Sequence, residues 1–304
     1  MSTVFSQTEK NFKSLCKEGN EFKYEGSQYK IINSGKPSPT DRGECKTDVY
    51  ILSEDILTKE LKEFKISIKQ SNADFLENKI SLERAIQLFG SNTSFVLTNS
   101  IKQIYSSFIN DEWILFDKKG RTEEKTIKIG WKFEICNKKQ GEKSEILLLS
   151  DEQKIDVYSG TNLSDGKKNS TVNGVVVNNS GISNYVLVID EVTTVQKSLD
   201  SFFEDLKPIE EYAIKQNLYF ACKAINYRVE KSKWDGDRPL AVFINWYLID
   251  NIIHGQLIIE NPLSTKANLI GNNLKEILNQ IKISKDNFHE IIPLLSKDIK
   301  YFKN

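Results

Sequence analysis

Glu44-Cys-Lys-Thr-Asp48-Val-Tyr-Ile-Leu52 and Phe64-Lys-Ile-Ser67-Ile-Lys69-Gln70 decide how this chain is read. Each has the alternation of a β-strand, and an aspartate opens the first run. In the second, Ser67 and Lys69 fall on one face while Ile66 and Ile68 fall on the other. Two neighbouring strands of this kind can hold a carboxylate, an oxygen ligand and an ammonium around one phosphate. That is the least a metal-dependent phosphodiester chemistry requires.

Around this stretch the composition is ordinary. The chain has 304 residues, 39% hydrophobic and 28% charged, enough for one large domain or two modest ones. No linker or repeat cuts it, so one domain over 1–304 is expected, with a catalytic core at about 30–150 and β-rich recognition and C-terminal helical elements over about 151–304. No apolar run reaches the roughly 18 residues of a membrane span, and the first residues show no export pattern. Cys16, Cys45, Cys136 and Cys222 are scattered without a metal-ligand spacing, which fits reduced thiols and a cytoplasmic location. The formal net charge is +0, which disfavours a protein that coats nucleic acid but allows a cleft with clustered lysines.

The periodicities predict a mixed α/β (α+β) chain. A helix is expected over about 9–22, strands at about 46–52 and 63–69, and a helix from Asp74 to Gly90 with Glu77 at capping-box spacing. Short strands follow at 112–116, 126–134 and 144–149, with helical character over 96–108. The Gly-, Ser- and Asn-rich stretch 159–184 reads as a hairpin or long loops leading into a strand at 185–189. Helix is expected over 193–215, then a meander of strands at 224–230, 240–249 and 255–259 with Asp235-Gly236 as a turn. The segment 272–301 reads as mostly helix.

The segment 42–90 resembles the catalytic core of the PD-(D/E)xK nuclease superfamily, most of all its type II restriction endonucleases. Their pattern is an aspartate on one strand and acid-x-lysine on the next. Asp48 matches the first position, with Thr47 where proline would stand, and Lys69 matches the lysine. Ser67 replaces the second acid. A branch of these enzymes carries Ser-x-Lys and takes the missing carboxylate from the following helix, where this chain offers Glu83 and, second, Glu77. The resemblance implies a restriction-endonuclease-like core, a central mixed β-sheet flanked by helices, with extra β-hairpins for DNA recognition. It implies Mg²⁺ held by Asp48 and Glu83, with Glu44 and Glu77 as further candidates, and catalytic roles for Asp48, Ser67, Lys69 and Glu83. It further implies site-specific cleavage of double-stranded DNA at a short palindrome by a homodimer, beside a companion DNA methyltransferase. A structure- or damage-specific repair nuclease, or a catalytically silent DNA-binding module, are the alternatives.

Candidate DNA contacts lie elsewhere. Gln70 follows the lysine, and Lys118-Lys119-Gly120-Arg121 with Lys125 and Lys128 could form a phosphate-binding wall. Trp234 and Arg238 flank the Asp235-Gly236 turn, where a tryptophan and an ion pair could equally lock the turn itself. The polar loops of 159–184 could read base edges or be plain surface. His254 and His289 have no partner motif and read as structural.

Overall fold

The computed structural model of the chain describes residues 4–70, 75–78, 80–189 and 197–304. Contacts divide it into two compact units, Met1–Leu76 with Leu148–Asn217 and Glu77–Leu147 with Leu218–Asn304. Both mix helices and strands, so the mixed class expected from sequence holds.

The principal elements begin with helix α1 (Val4–Leu15) and strands β1 (Glu21–Tyr24), β2 (Ser27–Gly35), β3 (Val49–Asp55) and β4 (Leu61–Gln70). Helices α2 (Leu82–Phe89) and α3 (Thr93–Gln103), strand β5 (Thr126–Cys136), helix α4 (Asp151–Ser159) and strand β6 (Tyr185–Ile189) follow. The chain continues through α5 (Leu199–Glu204), α6 (Ile209–Ile214), β7 (Tyr219–Arg228), β8 (Val242–Ile249), β9 (Ile252–Ile258) and α7 (Ala267–Gln280).

The first unit is built on a mixed sheet in the order β1-β2-β3-β4-β6, closed by the short strand Lys207–Pro208. β1 to β4 are antiparallel neighbours, and β6 runs parallel to β4. Phe64, Ile66 and Ile68 of β4 share a core with Val49 and Ile51 of β3 and Leu187 and Ile189 of β6. Phe12 of α1, Cys16 just past its end, and Phe202 and Phe203 of α5 complete it. Phe22 stacks on Phe203 at 3.7 Å between ring centroids, and Phe64 meets the same ring edge-on at 5.1 Å. Aromatic pairs of this kind contribute about 0.5–1.5 kcal/mol beyond their buried area. The turn from β3 to β4 is made by Asp55, whose carboxylate accepts the amides of Leu57 and Thr58 at 2.8 and 3.0 Å. Asp–backbone bonds of this type favour a turn over a helical connection.

In the second unit the sheet path runs from the short strand Lys233–Trp234 through β7, β5 and β8 to β9. The three strands read as a consecutive meander are therefore interrupted, because β5 inserts between β7 and β8. β5 is buried along nearly its whole length, and a strand apolar enough to be covered on both faces takes the sheet centre. A β-carbon at Gly130 would lie 2.6 Å from the Val242 carbonyl oxygen, so glycine allows β8 to close on β5 there. Asp235-Gly236 is not the hairpin turn. The β7 hairpin turns at Val229–Lys231 and Ser232, and Trp234 pairs with Tyr227.

Several helical expectations shift. α1 ends at Leu15, and Glu21 and Phe22, expected at the end of that helix, open the strand Glu21–Tyr24. Residues 75–77 are extended, and α2 starts only at Leu82, where the Ser81 hydroxyl accepts the Arg84 amide at 3.1 Å. Asp74, the expected cap, lies outside the described residues, as does Thr193, the expected start of the 193–215 helix. The described part of that helix is α5, a short strand and α6. Helix α4 was not foreseen, although Ser150-Asp-Glu-Gln153 forms a full capping box at its start. Beyond Gln280, residues Phe288–Leu294 form a 3₁₀-helix and Tyr301–Phe302 a short strand, replacing the single helix expected to 301.

Candidate functional site

Asp48 sits one residue ahead of β3. Its amide donates to the Ile66 carbonyl at 2.8 Å, and its Oδ2 accepts the Ile68 amide at 2.7 Å. The side chain therefore occupies the place of the next backbone rung of the β3–β4 ladder, and this ties it to the residue between Ser67 and Lys69. Thr47 anchors the approach: it is 1% exposed, and its hydroxyl lies 3.2 Å from that of Ser183.

Burial pushes the Asp48 carboxyl above its ordinary value. The Lys69 ammonium, the Ile68 amide and the Lys13 ammonium work against that rise, and the Glu9 carboxylate adds to it. Glu9 and Lys13 lie one turn apart on α1 and form an ion pair, each about a third exposed at 28% and 30%. Four ionisable groups from α1, the entry to β3 and β4 thus act on one another within the first unit. The positive charge beside Asp48 does not fully offset its desolvation.

Ser67 is 0% exposed and its Oγ has no hydrogen-bond partner among the described residues. It faces away from Ile66 and Ile68, as the alternation predicts, and stands opposite the fully buried Val186 of β6. Its hydroxyl is therefore inside the protein and out of contact with solvent. Lys69, half-buried, and Gln70 close the strand opposite Val188 and Ile189.

The other expected site residues fall elsewhere. Glu44 is exposed in the loop before Asp48. Glu77 and Glu83 belong to the second unit. Glu77 is paired with Arg84 at 3.1 Å. Glu83 is exposed in the first turn of α2, whose buried face is Arg84, Ala85, Leu88 and Phe89. Leu76 and Ile80, expected in one helix with Glu83, are not helical.

The basic wall of the second unit is largely divided into ion pairs. Lys119 pairs with Glu112 at 2.7 Å, Lys125 with Glu230 at 2.6 Å and Lys128 with Asp111 at 2.7 Å, while Arg121 is exposed in a turn. Trp234 lies against α7, where a β-carbon on Gly271 would come within 2.6 Å of its ring. Arg228 grips Asp235 at 2.5 Å and Glu123 at 2.7 Å, so a ring and an ion pair lock this turn. Arg238 is half-buried, and its carbonyl accepts the Ala267 amide at 2.9 Å. His254 stacks on Tyr247 at 5.4 Å, and His289 is exposed.

Among the described residues no three His, Cys, Asp or Glu side chains converge on one point. Asp48 and Glu9, whose carboxylate acts on Asp48 electrostatically, are the two acids of this cluster, and carboxylate oxygens are the donors Mg²⁺ prefers while it keeps several waters. Glu9 was missed in the sequence because it precedes Asp48 by a helix and two strands, and the only signal was its i, i+4 spacing to Lys13. No protein-family model, curated protein or solved structure matches the chain.

Proposed function

We propose that this protein is a magnesium-dependent endonuclease that hydrolyses double-stranded DNA, of the type II restriction kind. The supporting observation is the bond from the Ile68 amide to the half-buried Asp48 carboxylate, with Lys69 the foremost positive charge acting on it. Asp48 and Glu9 would hold the ion. When bound, Mg²⁺ polarises a phosphoryl oxygen and makes its coordinated water more acidic. Lys69 would stabilise the negative charge that grows on the phosphate during attack or orient the attacking water. Lys13 pairs with the Glu9 carboxylate and fixes its direction. Recognition of a short palindrome would call for a two-fold homodimer, a cytoplasmic setting and a companion methyltransferase to shield host DNA.

Asp48→Asn and Lys69→Ala are expected to abolish magnesium-dependent cutting of plasmid DNA, a loss of at least two orders of magnitude in rate. Glu9→Gln should raise the magnesium concentration needed for half-maximal cutting. Full cleavage by both Asp48→Asn and Lys69→Ala would sink the reading. Discrete plasmid fragments mark a sequence-specific enzyme, whereas cutting only at branches or mismatches marks a repair nuclease. The buried Ser67 and the absence of a third converging acid among the described residues favour one competing reading, a DNA-binding module without activity. Specific DNA binding by the wild type without cleavage at any magnesium concentration would select it.

A further inference from the structure

Residues 36–48, expected as a loop running into a strand from about 46, and residues 160–184, expected as a hairpin or long loops, are interlocked backbone to backbone in the first unit. Ser38 and Thr171 exchange amide–carbonyl bonds of 2.8 and 2.9 Å, Thr40 donates to Gly166 O at 3.0 Å, and Lys46 donates to Gly181 O at 3.1 Å. Glycines make the approach possible. A β-carbon on Gly166 would lie 2.4 Å from Asp41 Oδ1, and one on Gly181 would lie 2.9 Å from Cys45 Cβ and, within its own segment, 1.9 Å from Lys167 O.

Lys167 is the residue this interlock fixes. Its carbonyl is packed by Gly181 and accepts the Ser170 hydroxyl at 2.8 Å. Its ammonium lies over Gly43, where a β-carbon would sit 3.4 Å from Nζ, and Gly43 has φ +102°. Lys167 is half-buried and has no ion-pair partner among the described residues. Of the acids nearby, Asp41 accepts the Ser164 hydroxyl, Asp165 pairs with Lys168 at 2.9 Å, and Glu44 is exposed beside Gly43. Arg42 is exposed beside Gly43, and from Gly43 the chain runs through Lys46 to Asp48. A half-buried ammonium without a counterion, held on a rigid frame above bare backbone, is ready for an anion at little ordering cost.

We infer that the interlocked loops form a binding site for the DNA backbone, in which Lys167 takes a phosphate flanking the one addressed by Asp48. The inference rests on the nuclease reading above. Backbone phosphate contacts of this kind set register and orientation on the duplex without reading sequence.

The test uses the full chain carrying Asp48→Asn, so that bound DNA is not cut. Its dissociation constant for a duplex is measured by fluorescence anisotropy over a salt series, alone and combined with Lys167→Gln or Lys167→Arg. Loss of one phosphate contact should weaken binding several-fold at low salt and reduce the slope of log K against log salt by about 1. Lys167→Arg should keep the parent slope. DNA binding by the Lys167→Gln protein with unchanged affinity and slope would overturn the phosphate site while leaving the nuclease reading intact. No DNA binding by the Asp48→Asn parent at any salt would overturn both.

Discussion

At the residue scale, Asp48 carries a cost that its proposed role explains. Its folded pKa is raised, chiefly by burial, so the native state holds a proton more tightly than the unfolded chain does. Between the unfolded and folded pKa values stability therefore falls as pH rises, and above both the ionised carboxylate opposes folding in full. Asp48→Asn keeps an oxygen to accept the Ile68 amide and removes the charge. Thermal unfolding should show Asp48→Asn more stable than wild type at neutral pH, with the gap closing as pH falls below the folded pKa. Magnesium should reverse the order by stabilising the wild type alone, by about 2.7 kcal/mol at a hundredfold excess over its dissociation constant. Equal melting temperatures at every pH and magnesium concentration would show that Asp48 is neither strained by burial nor a ligand. Asp48 and Lys69 were legible because a strand's two-residue period fixes which side chains share a face. The burial of Ser67 was not, since the same period cannot tell a solvated face from one covered by other elements.

At the element scale, the strands that carry the site were read nearly to their ends, β6 at both ends and β3 and β4 within a few residues. β-branched and aromatic alternation bounded by turn residues is a local signal, and packing here agrees with it. The errors lie where local signals compete. Leu76 and Ile80 fit the spacing of α2, but residues 75–77 are extended, and the Ser81 cap puts the helix start at Leu82, beyond both. The segments 36–48 and 160–184 looked plain because many of the bonds between them run between backbones and leave no side-chain pattern. Their interlock makes Gly181 critical. Alanine there would drive a β-carbon into Lys167 O, with Cys45 Cβ 2.9 Å away on the other loop. Urea unfolding of Gly181→Ala should show a loss of roughly 1–3 kcal/mol, the usual cost of overpacking. An alanine variant as stable as wild type would mean that the two loops separate freely.

At the scale of the whole molecule, neither unit is a continuous piece of chain. The first needs residues 148–217, and the second needs residues after 218. The core expected from sequence at about 30–150 and these units divide the chain at different places. The reason is the parallel pairing of β6 with β4, which joins Tyr185–Ile189 to Ile66–Gln70, because local periodicity carries no information about so distant a partner. Long-range pairing of this kind also makes folding depend on late segments, since loop closure must come before the contacts that reward it. A fragment of residues 1–147 would keep β3, β4 and β5 but lose β6 from β4 and β7 from β5. Ile66 and Ile68 would lose Leu187 and Ile189 from the shared core, and Phe133 would lose the stacked ring of Phe220 at 5.3 Å. The fragment is expected to bind a hydrophobic dye, lack near-ultraviolet circular dichroism and unfold without a sharp transition. A cooperative transition with native-like near-ultraviolet signal would instead show that residues 1–147 hold a folding unit of their own. It would also mean that β4 with Lys69 is built without its parallel neighbour.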